Sequence, residues 1–330
     1  MTVGVIGAGS FGMAVTQLLS HNAEVLIFSR KQKVVDAINI DHHFMGMNLA
    51  KNIKASSDAK AVTQQCNLIF PIVASENFRK MLKLFSPHLT PHHILIHGTK
   101  GLDVYYGDKA EKNSVHVYSM SEVIQQETNV LRVGCLSGPN LAAEIMEGQP
   151  TATVVASEFD EVIEIGKKVL SSDRLHVYAS HDIRGAELAG ALKNVVAIGS
   201  GILKGMGLGK NIQAVLITQG LHEMIRFGKA VGSPQDAFLT VAGIGDLIAT
   251  TTSKKSRNYT FGFRLGSGES VDEIESASEE LAEGVRTVEI CKALADYYDL
   301  RVPVFNAFYR IIIEGEDKTE VIDTLIKNPY

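Results

Sequence analysis

The stretch Val3-Gly4-Val5-Ile6-Gly7-Ala8-Gly9-Ser10-Phe11-Gly12 lies at the start of the chain and decides the first half of the fold. Residues 3–6 predict a buried strand, and residues 11–19 predict the helix that follows it. A GxGxxG pattern between a strand and a helix is typical of a dinucleotide site. The first glycine permits a tight turn, the second lets the backbone approach a pyrophosphate, and the third lets helix and strand pack closely. Cofactor contacts are therefore predicted at Gly7, Gly9, Ser10, Phe11 and Gly12. The alternative is a tight turn without a ligand.

Short β-branched runs continue to alternate with helical patterns up to about residue 180. They predict six more strands, at residues 24–28, 67–70, 94–97, 133–136, 152–156 and 175–178. Strands separated by helices predict the α/β class, with an N-terminal Rossmann-type doubly wound sheet over residues 1–180. The stretch that follows Leu102, up to Ser114, is interpreted as an exposed excursion.

After about Ser180 the strand pattern ends. Helices are predicted at residues 183–203, 213–227, 272–283, 287–299 and 305–313. The glycine-rich residues 205–211 are interpreted as a turn between two of these helices. The second half is therefore predicted to be a C-terminal all-helical domain over residues 181–330.

Composition excludes several classes of protein. With 330 residues, 45% hydrophobic and 21% charged, the chain suits two soluble globular domains. Its 32 basic and 37 acidic residues leave a net charge of −5, which gives no support to nucleic-acid binding. Three separated cysteines exclude a disulfide scaffold or a zinc ribbon, and the N-terminus lacks a signal-peptide pattern, so a cytoplasmic protein is expected.

No apolar run approaches the roughly 20 residues that span a bilayer. The histidines between residues 88 and 97 match no metal-binding spacing, and no metal is expected.

The end of the second predicted strand bears on the choice of cofactor. It carries Phe28-Ser29-Arg30-Lys31, whereas a site that insists on NAD places an acid there for the ribose 2′-OH. Arg30 could meet a 2′-phosphate, which favours NADP or use of both NAD and NADP. The alternative is a solvated basic pair after a strand.

A lysine lies at the centre of the helix predicted near residue 190. The neighbours of Lys193 at three and four residues are Ala189, Gly190, Val196 and Ala197, which are uncharged and mostly small. Desolvation there would favour the neutral amine and make Lys193 a plausible proton acceptor. The alternative is a lysine that snorkels from a helix end.

Residues 250–258, Thr-Thr-Thr-Ser-Lys-Lys-Ser-Arg-Asn, gather three cations and several hydroxyl groups in a net-acidic chain. Arginine with serine and asparagine suits recognition of a phosphate group. A solvated loop is the alternative. A nucleotide fold, a buried lysine and a phosphate-like site together predict a dehydrogenase for a phosphorylated alcohol.

Eight blocks carry a resemblance to the bacterial NAD(P)-dependent glycerol-3-phosphate dehydrogenase family, from Val3 to about Ile313. They are GAGSFG at 7–12, GTKG at 98–101, SGPNLAAE at 137–144, GAELAGALKNVVAI at 185–198, GMGLGKN at 205–211, AGIGDL at 242–247, SKKSRN at 253–258 and AEGVRT at 282–287. The resemblance implies a cytoplasmic, homodimeric enzyme that interconverts sn-glycerol 3-phosphate and dihydroxyacetone phosphate with NAD or NADP and supplies glycerol 3-phosphate for phospholipid synthesis.

The same resemblance implies roles for individual residues. Lys193 matches the proton acceptor for the C2 hydroxyl, and Lys100 matches a second active-site lysine near both substrate and nicotinamide. Further substrate contacts are implied at Gly138, Asn140, Asp246, Thr250, Ser256, Arg257 and Asn258. Further cofactor contacts are implied at Ala142, Arg257, Leu281 and Glu283.

Several positions depart from the family pattern. Phe11 replaces a common tryptophan, and Asn140 replaces serine or threonine. The other departures are Ala74 in place of proline, residues 46–50 without the usual prolines, Lys210 in place of an acid, and Gln219 in place of arginine. Two other functions remain open. One is a dehydrogenase for a 3-hydroxy acid or a ketopantoate-like substrate, which would need a carboxylate clamp, and the other is a nucleotide-sensing regulator without turnover.

Overall fold

A computed structural model describes residues 1–106, 115–277 and 282–327. The chain divides into two compact units. The first contains Met1–Lys100 and Ser119–Ile183, and the second contains Gly101–Tyr118 and the chain from Arg184 onward. The division into domains at residues 1–180 and 181–330 stays a prediction. The two compact units have nearly the same boundary near residue 180, but Gly101–Tyr118 belongs to the second unit.

The strands among the described residues fall into one large sheet and two small hairpins. In chain order they are β1 (Thr2–Ile6), β2 (Glu24–Phe28), β3 (His43–Phe44), β4 (Met47–Asn48), β5 (Ile53–Ser56), β6 (Leu68–Pro71), β7 (Ile94–His97), β8 (Asp103–Tyr106), β9 (Val115–Tyr118), β10 (Arg132–Ser137), β11 (Thr151–Ala156) and β12 (Leu175–Ser180). The large sheet has the order β12-β11-β10-β7-β6-β1-β2-β5, and only the β10–β11 pair is antiparallel. The six strands β5-β2-β1-β6-β7-β10 have the order of a doubly wound dinucleotide-binding sheet. The predicted fold class is confirmed.

Helices of the first unit connect these strands. They are α1 (Ser10–Leu19), α2 (Gln32–Asp36), α3 (Ala59–Gln65), α4 (Ser75–Phe85), α5 (Met120–Glu127), α6 (Ala142–Met146) and α7 (Asp160–Leu170), with single turns at Ala37–Asp41 and Ser86–His88. The longer helices are amphipathic and bury their apolar face. Helix α4, for example, buries Phe78, Leu82 and Phe85. All seven predicted strands are present. The unpredicted β5 is an edge strand that buries only Ile53 and Ala55, so its apolar signal is short.

Eight helices follow among the described residues of the second unit. They are α8 (Ile183–Gly205), α9 (Lys210–Ala230), α10 (Asp246–Thr252), α11 (Arg257–Gly266), α12 (Val271–Ser276), α13 (Glu283–Tyr297), α14 (Pro303–Ile312) and α15 (Lys318–Lys327), with single turns at Gln235–Leu239 and Val241–Gly245. The single helix predicted over residues 272–283 is wrong, because α12 ends at Ser276 and α13 begins at Glu283. The expected loop at residues 250–258 instead contains the end of α10 and the start of α11.

The predicted excursion after Leu102 forms the β8–β9 hairpin in the second unit. Val104 and Val117 pack against the apolar core of that unit, and Asp103 approaches Arg286 on α13 at 3.5 Å. Residues 107–114 of the predicted excursion lie outside the described residues. Among the described residues the predicted excursion therefore concerns β8. The expectation of exposure is wrong for Asp103 and Val104, which are half-buried, and holds for Tyr105, which is exposed.

Helix α8 is the centre of the second unit. It is long and apolar enough to cross a membrane by length and composition, but the most apolar part of it is entirely buried in the protein. A central helix in a globular core needs the same apolar character. Glu187, Lys193 and Asn194 are polar side chains buried along it.

Close backbone packing joins α8 to α11. Gly201 and Gly205 on α8 face Gly262 and Gly266 on α11. A Cβ atom on any of these four glycines would lie closer than 3.0 Å to a backbone atom of the other helix, a separation that real Cβ atoms essentially never show. The paired GxxxG spacings therefore let the two helices approach backbone to backbone.

A buried carboxylate fixes the start of α14. Glu223 on α9 is 2% exposed and accepts hydrogen bonds from the backbone N–H groups of Val304, at 2.8 Å, and Phe305, at 3.0 Å. These N–H groups lack partners within their own helix, so the carboxylate caps it. Burial raises the pKa of Glu223 to about 7 despite these hydrogen bonds.

We expect Gly262→Ala to destabilise the second unit, because its methyl group would overlap the Ile198 carbonyl and separate α8 from α11. Overpacking of this kind costs about 1–3 kcal/mol. Gly209→Ala is the matched control, since a Cβ there would meet nothing within 4 Å and its φ is −80°. Thermal unfolding of both variants checks the expectation. Equal stability of the two would show that α8 and α11 do not need this close approach.

Candidate active site

The glycine loop lies at the carboxyl end of β1, beside the end of β6. Gly7 has φ +116°, and a Cβ on it would overlap the Ile72 carbonyl. A Cβ on Gly12 would overlap the Gly7 carbonyl in the same way. Gly9 precedes α1 without a side-chain cap, and no acidic residue lies in the first turn. The helix start is thus shaped to receive phosphate oxygens on its N–H groups.

Arg30 lies directly after β2 and is exposed. The Ser29 hydroxyl accepts from the backbone N–H of Lys31 at 3.3 Å, which fixes the turn that carries Arg30. The strand ends without a carboxylate, as Phe28-Ser29-Arg30 shows. In this fold the position faces the adenosine ribose, so a basic residue there suits a 2′-phosphate.

Lys100 follows β7 at the same edge of the sheet. The preceding residue Thr99 donates from Oγ1 to the Val73 carbonyl at 2.7 Å, which ties this loop to the loop after β6. The Lys100 ammonium donates from Nζ to the Gly138 carbonyl at 2.8 Å, after β10. Phe11 lies against the same loop, since a Cβ on Gly98 would be 3.0 Å from its ring.

Asn140 directs its side chain to β11 within the first unit. Its Nδ2 donates to Thr153 Oγ1 at 2.8 Å, and its backbone N–H donates to the Gly138 carbonyl at 2.8 Å. Gly138 has φ +121°, a conformation that favours glycine. Ala142, two residues beyond, begins α6.

Lys193 is the buried cation of the second unit, with 4% of its surface exposed. Its Nζ donates to Asp246 Oδ1 and, at 2.5 Å, to Thr250 Oγ1, which both lie on α10. Thr250 in turn donates to the Asp246 backbone carbonyl at 2.7 Å. Burial disfavours the charged ammonium, whereas the adjacent carboxylate favours it. The hypothesis of a lysine that snorkels to solvent is wrong.

Asn258, predicted to hold phosphate, joins three helices. Its Nδ2 donates to Asn194 Oδ1 on α8 at 2.9 Å, and its Oδ1 accepts from the Gly284 N–H on α13 at 2.9 Å. Asn194 directly follows Lys193. The contact therefore holds the start of α11 next to the part of α8 that carries the lysine.

Ser256 and Arg257 form the start of α11. Ser256 Oγ accepts from the Tyr259 N–H at 3.3 Å and so caps the helix, and Arg257 is exposed in its first turn. Lys254 and Lys255 precede them and are also exposed. A helix N-terminus with a guanidinium and two ammonium groups attracts an anion.

Two further cofactor contacts are predicted late in the chain, at Leu281 and Glu283. Glu283 is the first residue of α13 and is half-buried. Leu281 lies outside the described residues. No group of three or more His, Cys, Asp or Glu side chains that could hold a metal occurs among the residues that the structure describes.

The predicted residues thus form one cluster in each unit. The first unit gathers the glycine loop, Lys100 and the turn at Gly138, and the second gathers Lys193 with Asp246 and Thr250. Sequence reasoning missed Thr153 and Asn194. Asn194 could have been found from its position beside Lys193, whereas the sequence offers no signal that pairs Thr153 with Asn140.

Comparison with protein families gives two matches that together span most of the chain. Residues 2–163 match the NAD-dependent glycerol-3-phosphate dehydrogenase N-terminus, and residues 182–323 match the NAD-dependent glycerol-3-phosphate dehydrogenase C-terminus.

Individual proteins agree with these matches. The chain is 35% identical over 331 residues to the glycerol-3-phosphate dehydrogenase (NAD(P)+) of Teredinibacter turnerae, with coverage of 99% of this chain and 94% of that relative. It is 37% identical over 335 residues to the protein of the same name from Acinetobacter baylyi, with coverage of 100% and 91%. The crystal structure of glycerol-3-phosphate dehydrogenase from Coxiella burnetii superposes with a TM-score of 0.90 at 30% identity, with coverage of 99% of both chains.

Proposed function

The chain belongs to the NAD-dependent glycerol-3-phosphate dehydrogenase family, and from this premise we propose how its residues interconvert glycerol 3-phosphate and dihydroxyacetone phosphate. It is an oxidoreductase, and its cofactor is NAD(P). When bound, the nicotinamide supplies or accepts the hydride at C2 of the substrate. The steric cradle of Gly7 and Gly12 and the uncapped start of α1 fit the pyrophosphate of such a cofactor.

Lys193 is the residue that moves the proton. In the reductive direction its ammonium donates to the oxygen that develops negative charge on C2, and in the oxidative direction its amine takes the proton back. The observation that carries this role is the burial of Lys193 against Asp246 and Thr250. These two contacts fix the position of the ammonium against α10.

Lys100 stabilises charge on the same substrate oxygen. Its ammonium lies at the carboxyl edge of the sheet, where the Gly138 carbonyl fixes its position. A donor that is already oriented before the reaction stabilises a developing alkoxide without reorganisation.

The start of α11 binds the substrate phosphate. Arg257 offers a guanidinium, Ser256 and Asn258 flank it, and the N–H groups of the first turn add partial positive charge. Binding energy from the phosphate, which does not react, then orients C2 for hydride transfer. A carboxylate-binding alternative would not require this concentration of cations.

We further propose that both NAD and NADP serve as cofactors, that the enzyme works in the cytoplasm as a homodimer, and that its product supplies phospholipid synthesis. Arg30 supports the first proposal, because it accommodates a 2′-phosphate without excluding a 2′-OH. The experiment for the activity itself follows absorbance at 340 nm with dihydroxyacetone phosphate and either reduced cofactor.

We expect Lys193→Met to lower kcat by about 10²–10⁴-fold, the range that general acid–base catalysis contributes. NADH binding, followed by fluorescence, should stay intact because α8 does not form the glycine loop. Lys204→Met is the matched control, since Lys204 is an exposed lysine on the same helix. A near-native kcat for Lys193→Met would refute the assignment of the proton donor.

Arg257→Ala is expected to lower kcat/KM for dihydroxyacetone phosphate by roughly 10–150-fold, since a hydrogen bond to a charged group is worth about 1.5–3 kcal/mol. Unphosphorylated dihydroxyacetone should lose much less. Arg264→Ala removes an arginine from the last turn of the same helix and should leave both rates unchanged. If both substrates lose equally with Arg257→Ala, Arg257 does not bind the phosphate.

Arg30→Asp should lower kcat/KM for NADPH far more than for NADH, because a carboxylate repels the 2′-phosphate and can accept from the ribose 2′-OH. The ratio of the two values is measured for wild type and variant at identical ionic strength, since exposed charges are screened by salt. Lys51→Asp, an exposed charge reversal in the first unit, serves as the control. An unchanged ratio in Arg30→Asp would place Arg30 outside the ribose pocket.

A further inference from the structure

Three consecutive carbonyl groups at the end of β10, those of Ser137, Gly138 and Pro139, each accept a hydrogen bond from a side chain. The Ser137 carbonyl accepts from Thr153 Oγ1 at 3.1 Å, and the Pro139 carbonyl accepts from Thr151 Oγ1 at 3.0 Å. Between them, the Gly138 carbonyl accepts from Lys100 Nζ and from the Asn140 N–H, both at 2.8 Å. Hydrogen bonds to the Ser137 and Pro139 carbonyls therefore fix the turn on both sides of the Gly138 carbonyl, which Lys100 contacts.

The two threonines come from one strand and one face. Thr151 and Thr153 are two residues apart on β11, so their side chains lie on the same side of the sheet. Strand β11 runs antiparallel to β10, with Ser137 opposite Val154. This pairing places Thr151 and Thr153 next to the turn that follows β10. Thr153 is 3% exposed, and its hydroxyl both donates to Ser137 and accepts from Asn140.

Asn140 completes this arrangement from the other end of the turn. Its Nδ2 reaches Thr153, whereas its Oδ1 is buried and accepts no hydrogen bond from the residues that the structure describes. A buried acceptor without a donor costs free energy. The buried Oδ1 of Asn140 therefore destabilises the fold, and the hydrogen bond from Nδ2 to Thr153 is the side-chain contact that offsets this.

We propose that Thr153 and Asn140 are positioning residues for Lys100. They hold the Gly138 carbonyl in one orientation, and that carbonyl holds the ammonium. A lysine side chain has four rotatable bonds, so a fixed acceptor near its end restricts where the charge lies. The inference rests on the proposed role of Lys100 in the reaction. Asn140 then acts through its hydrogen bond to Thr153, whereas the family resemblance implies that it contacts the substrate.

Thr153→Val tests the inference with little change in volume. It removes the hydroxyl that serves both Ser137 and Asn140, and we expect kcat/KM to fall roughly 10- to 100-fold, because a displacement of about 1 Å at a reacting group has effects of this size. Thr153→Ser should restore most of the activity. Thr63→Val is the matched control: Thr63 is also buried in the first unit, but its hydroxyl donates to the Ala59 and Lys60 carbonyls of its own helix, α3. Its kcat/KM should match wild type.

Asn140→Ala provides a second variant that leaves the Thr153–Ser137 bond in place, so the test does not depend on the folding of Thr153→Val. Its kcat/KM should also fall, with NADH binding and the unfolding temperature close to wild type. Wild-type kcat/KM in either folded variant would overturn the inference.

Combination with Lys100→Met separates a positioning role from a general structural one. If Thr153 acts through Lys100, Thr153→Val should lower kcat/KM less than twofold further once Lys100 is methionine. Equal losses in both backgrounds would contradict the inference, because Thr153 would then act independently of the lysine. Wild-type activity of Lys100→Met alone would instead refute the proposed role of Lys100, and this outcome is distinct from a failure of Thr153→Val alone.

Discussion

The contact of Lys193 with Asp246 and Thr250 is the interaction on which the chemistry of the second unit depends. An ammonium group in a core helix loses several kcal/mol of hydration, and only a close partner of opposite charge offsets this. Asp246 supplies that charge from the first turn of α10, where a carboxylate is also favoured by the helix dipole. The pair lets a globular core keep a charged proton donor inside it.

The close packing of α8 against α11 also fixes the position of the residues proposed to bind the substrate phosphate. Because glycines line the contact, the two backbones approach without intervening side chains. The Asn194–Asn258 hydrogen bond then ties the start of α11 to the residue after Lys193. The cations proposed to hold the phosphate and the ammonium proposed to serve C2 are thereby fixed relative to each other, as a substrate only three carbons long requires.

Sequence reasoning succeeded where a pattern has a single physical cause. The GxGxxG loop, the buried strands and the burial of Lys193 follow from local patterns, so the sequence predicts them. The Asp246 partner of Lys193 lies 53 residues away along the chain and follows from no local pattern. It missed β5, with its short apolar pattern, and α10 and α11, because threonine, serine and lysine there indicate a loop by composition. The buried position of α10 and the close contact of α11 with α8 override that propensity. The partners of Asn140 and Asn258 depend on residues distant along the chain, which no local pattern reveals.

A crystal structure of the enzyme with NAD and glycerol 3-phosphate would show whether Lys193 is the group that exchanges the proton with the substrate. We expect Lys193 Nζ within hydrogen-bond distance of the C2 oxygen, about 2.6–3.2 Å, while it keeps its contacts to Asp246 and Thr250. We also expect the phosphate at the first turn of α11, beside Arg257. A C2 oxygen held by other side chains, with Lys193 still directed only to Asp246 and Thr250, would contradict this role of Lys193.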